Sequence, residues 1–142
     1  MKFPFVSRLA LLATLATAST LAHAEVVVVM AANSDVATLS QAQVSQIFLA
    51  KSSSLPSGGK ATPIDQEEGG AVRNEFYTKV ASKDAAQMKA YWSQLMFTGK
   101  AQRPRKVAND AAVKQAVAST PGAIGYINAG AVDASVKVVL KP

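Results

Sequence analysis

The chain reads as a single small α/β domain in which helices cover a mixed sheet. Three observations lead there. Apolar runs of strand length, such as Val26-Val27-Val28-Val29-Met30, are separated by stretches whose apolar residues recur at helical spacing. A leader of the export type precedes the first strand, and the residues after the leader suit one domain of ordinary size. Those residues include no cysteine and no histidine, so packing has to hold the fold without disulfides or metal ligands.

The leader spans residues 1–24, and the domain is expected over 25–142. Lys2 and Arg8 form a positive start, Leu9 to Leu21 an apolar stretch too short for a comfortable membrane span, and Ala22-His23-Ala24 a small-residue cleavage site. Glu25 is then the expected first residue of the mature chain. No cysteine stands after the apolar stretch to take a lipid, so the product is expected free of a membrane anchor, in the periplasm or secreted. Losing Lys2 and Arg8 lowers the formal net charge from +6 to +4. Such a mild basic excess favours small anions or acidic surfaces and also suits an ordinary solvated face.

Valine continuity from Glu25 to Ala31 predicts a first strand buried on both faces. Asn33-Ser34-Asp35 breaks it. Ser40 then caps a helix carrying Val44, Ile47, Phe48 and Leu49. The Ser-, Gly- and Pro-rich stretch from Ser52 to Gly59 predicts a loop, and Ala61 to Ile64 a short strand. From Ala71, the residues Val72, Phe76, Tyr77 and Val80 mark a helix face. Ser82 and Asp84 start a second helix with Met88, Tyr91, Trp92, Leu95 and Met96, ended by Gly99. Tyr91, Trp92 and Phe97 are assigned to the core by their helical spacing. Lys100 to Val107 predicts a basic loop, Asn109 or Asp110 caps a further helix through Val113 and Val117, and Pro121-Gly122 stops it. Ala123–Asn128 and Val136–Leu140 are strand-like, and Gly125 marks a close approach of another backbone or a ligand. The predicted order is β-α-β-α-α-α-β-β.

Composition removes several function classes. The only histidine, His23, belongs to the leader, so zinc sites, thiol catalysis and Ser-His-Asp chemistry lack their ligands or bases. No enzyme and no cofactor is expected. Asp65, Glu67 and Glu68 lack the ligand spacing of calcium loops. Lys100, Arg103, Arg105 and Lys106 cluster without the aromatic interleaving of a nucleic-acid surface, so that partner is not expected either.

The segment Pro63-Ile64-Asp65-Gln66-Glu67-Glu68-Gly69-Gly70-Ala71-Val72-Arg73 runs from a strand through acidic residues and two glycines into a helix. It reads as a backbone anion cradle. Glycine admits close approach, the first amides of a helix lack internal partners, and an arginine in the first turn can close over an oxyanion. The competing reading is a simple turn with acidic residues favouring the helix dipole. Asn33-Ser34, past the first strand, is a second candidate place, and either could face the same cleft. Tyr126 reads equally as a cleft hydroxyl or as a strand residue with its tip in solvent.

Three blocks in order carry a resemblance: Gln46-Ile47-Phe48-Leu49-Ala50-Lys51, Tyr91-Trp92-Ser93-Gln94-Leu95-Met96-Phe97-Thr98-Gly99-Lys100, and Thr120-Pro121-Gly122-Ala123-Ile124-Gly125-Tyr126-Ile127. From Val28 to about Ile127 the chain resembles the phosphate-binding proteins of phosphate ABC transporters, and most of all their short single-lobe members. The resemblance implies one periplasmic-binding-protein-like lobe. It also implies an exported solute-binding protein that holds phosphate or a similar small anion around Gln66, Gly69, Gly70, Ala71 and Arg73, and partners such as a transporter permease. In the full-length family two lobes close over phosphate with amides, hydroxyls and an arginine. Here Gly69-Gly70-Ala71 stands where those relatives carry a Ser-Gly-Thr type run, and Ala50 replaces a typical glycine. The alternative is that the lobe is an interaction or structural module with a blunted cleft, contacting another protein or itself.

Overall fold

The computed structural model describes residues 25–99 and 101–142, so the expected leader over 1–24 and Lys100 lie outside the described residues. The valine run forms β1 (Val26–Ala31), buried on both faces because helices cover both sides of the sheet. Chain order continues with α1 (Gln41–Phe48), β2 (Thr62–Gln66), α2 (Ala71–Ala81), α3 (Ala85–Phe97), β3 (Arg105–Val107), α4 (Asp110–Ser119), β4 (Ala123–Asn128), a 3-10 turn (Ala129–Ala131) and β5 (Val136–Leu140). The sheet runs β3-β2-β4-β1-β5. Strand β2 pairs parallel with β3 and β4, whereas β1 is antiparallel to both β4 and β5. The fold is α/β with a mixed sheet, as the alternation of patterns predicts.

Alternation along β1 divides the core. Val26, Val28 and Met30 pack with Ile124 and Tyr126 under α1, α2 and α3, through Phe48, Phe76, Tyr77, Met88 and Trp92. Val27 and Val29 face the other way, with Ile64 and Ile127, onto Val113 and Val117 of α4. Each large apolar side chain so buried contributes about 1.5–3 kcal/mol, so these two layers carry the stability that disulfides would otherwise supply. Gly125 belongs to the second layer: a Cβ there would stand 2.5 Å from Val113 Cγ1, so the strand admits α4 only because the position is bare. The close approach expected at Gly125 is thus made by helix side chains.

Two expectations are corrected. Lys100 to Val107 is not wholly a loop, because Arg105–Val107 adds β3 to the edge of the sheet beside Ile64, Asp65 and Gln66. Three residues of Arg-Lys-Val carry almost no periodic signal; pairing with β2 makes the strand. Phe97 is not in the core: it is 94 % exposed at the last position of α3, while Trp92 is buried and Tyr91 is half-buried with its hydroxyl donating to the Leu49 carbonyl at 2.6 Å. Helical spacing cannot tell where a helix outruns the layer beneath it. Phe97→Ser is accordingly expected to change stability by no more than about 0.5 kcal/mol in urea denaturation, whereas a core aromatic would cost about 3–5.

Candidate functional site

Because β1 opposes β2 and β4, the two candidate places lie at opposite ends of the sheet. Asn33-Ser34 follows the end of β1, where Met30 pairs with Ile124 at the start of β4, while the cradle follows Gln66 at the far end of β2. They do not share a cleft. A cleft of about 620 Å³ opens at the Asn33-Ser34 end, lined also by Asp35, Lys60 and Thr120. None of the buried charged or amide side chains lines it. Asp65, Gln66 and Arg73 all gather at the α2 end.

Strand β2 runs two residues past its expected end at Ile64, which draws Asp65 and Gln66 into the sheet and buries them. The Asp65 carboxylate, 1 % exposed, accepts from the Tyr77 hydroxyl at 2.6 Å, from the Tyr126 hydroxyl and from the Gln66 amide at 2.8 Å, and stands 3.5 Å from Arg73 Nε. Tyr126 is therefore neither a cleft hydroxyl nor a solvent tip; it is core, stacked on Phe76 at 4.0 Å between ring centres. The Gln66 side chain donates to the Tyr126 carbonyl at 2.9 Å and to Asp110 Oδ1 at 2.8 Å. Asp110 Oδ2 also takes the Asn128 amide at 3.2 Å, tying the start of α4 to the ends of β2 and β4.

Arg73 sits in the first turn of α2, 4 % exposed, with its guanidinium over the Tyr77 ring. Its Nε is the one buried side-chain nitrogen or oxygen without a hydrogen-bond partner among the described residues. Its nearest acceptor is Asp65 Oδ1, at an ion-pair distance too long for a hydrogen bond. Burial alone would lower the Arg73 pKa, but the Asp65 charge and the two tyrosines carry the net shift upward, and the group stays a cation.

The glycines shape the entry to α2. Gly69 has φ +88° and open space where a Cβ would stand, and Gly70 is the N-cap of α2, where a Cβ would meet the Glu67 carbonyl oxygen at 3.8 Å, an ordinary contact. Helices α1, α3 and α4 are capped by the side chains of Ser40, Asp84 and Asn109, and α4 also carries Asp110 in its first turn. Helix α2 has no side-chain cap and no acidic residue in its first turn, and Gly69, Gly70 and Ala71 are exposed. Two of the three carboxylates expected to favour its dipole are engaged elsewhere: Asp65 in the core, and Glu68 with Lys106 at 3.2 Å and Arg103 at 3.6 Å across to the β3 side. The Lys106 hydrogen bond and charge, helped by Arg73 and Arg103, hold the Glu68 carboxyl below its ordinary value. Of the residues named from sequence, Gly69, Gly70, Ala71 and Arg73 come together at this terminus, while the Gln66 side chain turns into the sheet ends. Sequence reasoning missed both tyrosines as donors to Asp65, Tyr77 having only its place on an apolar helix face as a signal and Tyr126 having read as a cleft hydroxyl or a solvent tip.

The network sets a pH limit. Burial, and then the Asp65 charge and hydrogen bond, push the Tyr77 and Tyr126 pKa values well above the ordinary 10.0. A raised folded-state value means that this stability is fully present below about pH 10 and is lost as pH rises, because the unfolded chain then gives up protons that the folded one keeps. The expected slope is about 1.4 kcal/mol per pH unit for each tyrosine. Urea midpoints between pH 8 and 11.5 would check it, and a Tyr77→Phe/Tyr126→Phe variant should flatten the fall.

No protein-family model and no curated protein matches the chain. Solved structures do. A protein from Clostridium perfringens assigned to the phosphate ABC transporter substrate-binding proteins, with bound phosphate, is 21 % identical with a TM-score of 0.65, over 81 % of this chain and 44 % of its own. An ABC-type phosphate transport receptor from Vibrio cholerae gives 18 % identity and 0.64, over 81 % and 45 %. PstS from Borrelia burgdorferi gives 12 % and 0.60, over 81 % and 46 %. This chain spans less than half the length of these structures, and what it shares with them is the fold of a single periplasmic-binding-protein-like lobe.

Proposed function

We propose that the chain is an exported solute-binding lobe that takes a small oxyanion, phosphate or one close to it, at the N-terminus of α2. The observation that carries this reading is the exposed first turn of α2, which alone among the four α-helices has no side-chain cap. Free amides at a helix start favour negative charge, and Gly69 and Gly70 leave the approach clear. The likeness to phosphate-binding receptors supports the same ligand class, and a transporter permease is the partner that class implies. With Asp65 offsetting the Arg73 charge and no hydroxyls at Gly69-Gly70-Ala71, each missing charge-assisted bond costs about 1.5–3 kcal/mol, which places affinity toward the micromolar-to-millimolar range.

Calorimetric titration of the purified protein with phosphate at low ionic strength tests the reading, with Gly70→Asp as the informative variant. An aspartate at the N-cap accepts the amides itself, so it should stabilise the helix by a few tenths of a kcal/mol and remove anion binding. Undiminished phosphate binding by Gly70→Asp would place the ligand elsewhere.

A further inference from the structure

Between Asp84 and Asp110 the chain carries no Asp or Glu, while Lys89, Lys100, Arg103, Arg105 and Lys106 all fall within that stretch. In its middle, at the end of α3, stand the two exposed large apolar side chains among the described residues, Met96 and Phe97. Cations surround them. Arg103 Nε lies 3.0 Å from Met96 Sδ, and Arg103 and Lys106 share one carboxylate, Glu68, two positive charges against one negative. Lys89 is one heptad before Met96, hence on the same face of α3, and is exposed. Arg105 is exposed on the edge strand β3. Neither makes an ion pair among the described residues.

An apolar tip within charge of one sign selects its partner by the opposite sign. A second copy would bring the same cations face to face, which like charge opposes. A protein partner would have to close a formed pocket over the Phe97 ring and set carboxylates against cations carried by α3, the following loop and β3. An anionic bilayer needs neither, because its interface takes an aromatic ring without shape matching and its headgroup charge is spread over the whole surface. We propose that Met96 and Phe97 form a membrane-contact tip that enters the interface of a bilayer carrying anionic lipid, while Lys89, Arg103 and Arg105 meet the headgroups. The contact is reversible, since one apolar tip with a few cations binds far more weakly than an anchor.

The test is sedimentation with sucrose-loaded vesicles of pure phosphatidylcholine, and of phosphatidylcholine with about 30 % phosphatidylglycerol, at low ionic strength. It uses the chain from Glu25, which holds every described element and both core layers and leaves out the apolar leader that would itself enter lipid. The expected result is binding to the anionic vesicles at least about tenfold tighter than to the neutral ones, and lost in raised salt. Phe97→Ser, expected to leave stability nearly unchanged, should weaken that binding about tenfold, and Arg103→Gln/Arg105→Gln by about as much. No binding to anionic vesicles, equal binding to both kinds, or binding untouched by Phe97→Ser would overturn the proposal. Without vesicle binding, self-association in sedimentation velocity that Phe97→Ser abolishes would give the tip to a second copy, and Phe97-dependent binding of polyglutamate would give it to an acidic protein segment.

Discussion

Asp65→Ala is expected to cost about 3–5 kcal/mol of folding stability, the range for breaking a buried ion pair by removing one partner. The loss is large because one carboxylate serves four groups: the Tyr77 and Tyr126 hydroxyls, the Gln66 amide and Arg73. Without it Arg73 stays buried as an unbalanced cation and two hydroxyls lose their acceptor in a core where water does not replace it. Against a total of about 5–15 kcal/mol for a domain, this is a large fraction of the stability. Tyr77→Phe, by contrast, removes one donor and keeps the ring, at a cost of about 1 kcal/mol. Urea denaturation followed by far-UV circular dichroism checks both, and equal losses in the two variants would refute the shared-acceptor account.

Gly122→Ala is expected to cost about 3 kcal/mol or more. The residue has φ +76°, and an added Cβ would overlap the Lys60 carbonyl oxygen, a backbone atom that cannot rotate away. The same turn places the Gly122 carbonyl to accept the Thr62 amide at 2.9 Å, so relief by shifting the turn would break the entry into β2. Gly69→Ala is the control. Its φ of +88° carries a similar conformational penalty, but nothing lies near its Cβ position, and the cost should stop near 1 kcal/mol. A thermal-melt comparison showing equal losses would mean that the turn at Gly122 yields.

Elements with strong local signals were legible from sequence. The valine run of β1, the helices begun at Ser40 and Asp84 by capping boxes, and the stop at Pro121-Gly122 all stand where the pattern put them. So does the turn into α2, because Gly69-Gly70 before a helix is a local instruction. The side chains around it were not legible. Asp65 looked like one of three loop acids until β2 extended through it, and Arg105–Val107 became a strand only by lying beside β2.

The residues alone determined an α/β alternation of helices and strands, a core held without disulfides, and a glycine entry to α2, since composition, periodicity and backbone freedom act within a few residues of chain. Tertiary structure decided which end of the sheet each segment faces, because strand direction depends on pairing partners far away in sequence. It likewise decided that Asp65 and Arg73 are buried together and that Phe97 is left in solvent, because burial is set by what the rest of the chain stacks above a position.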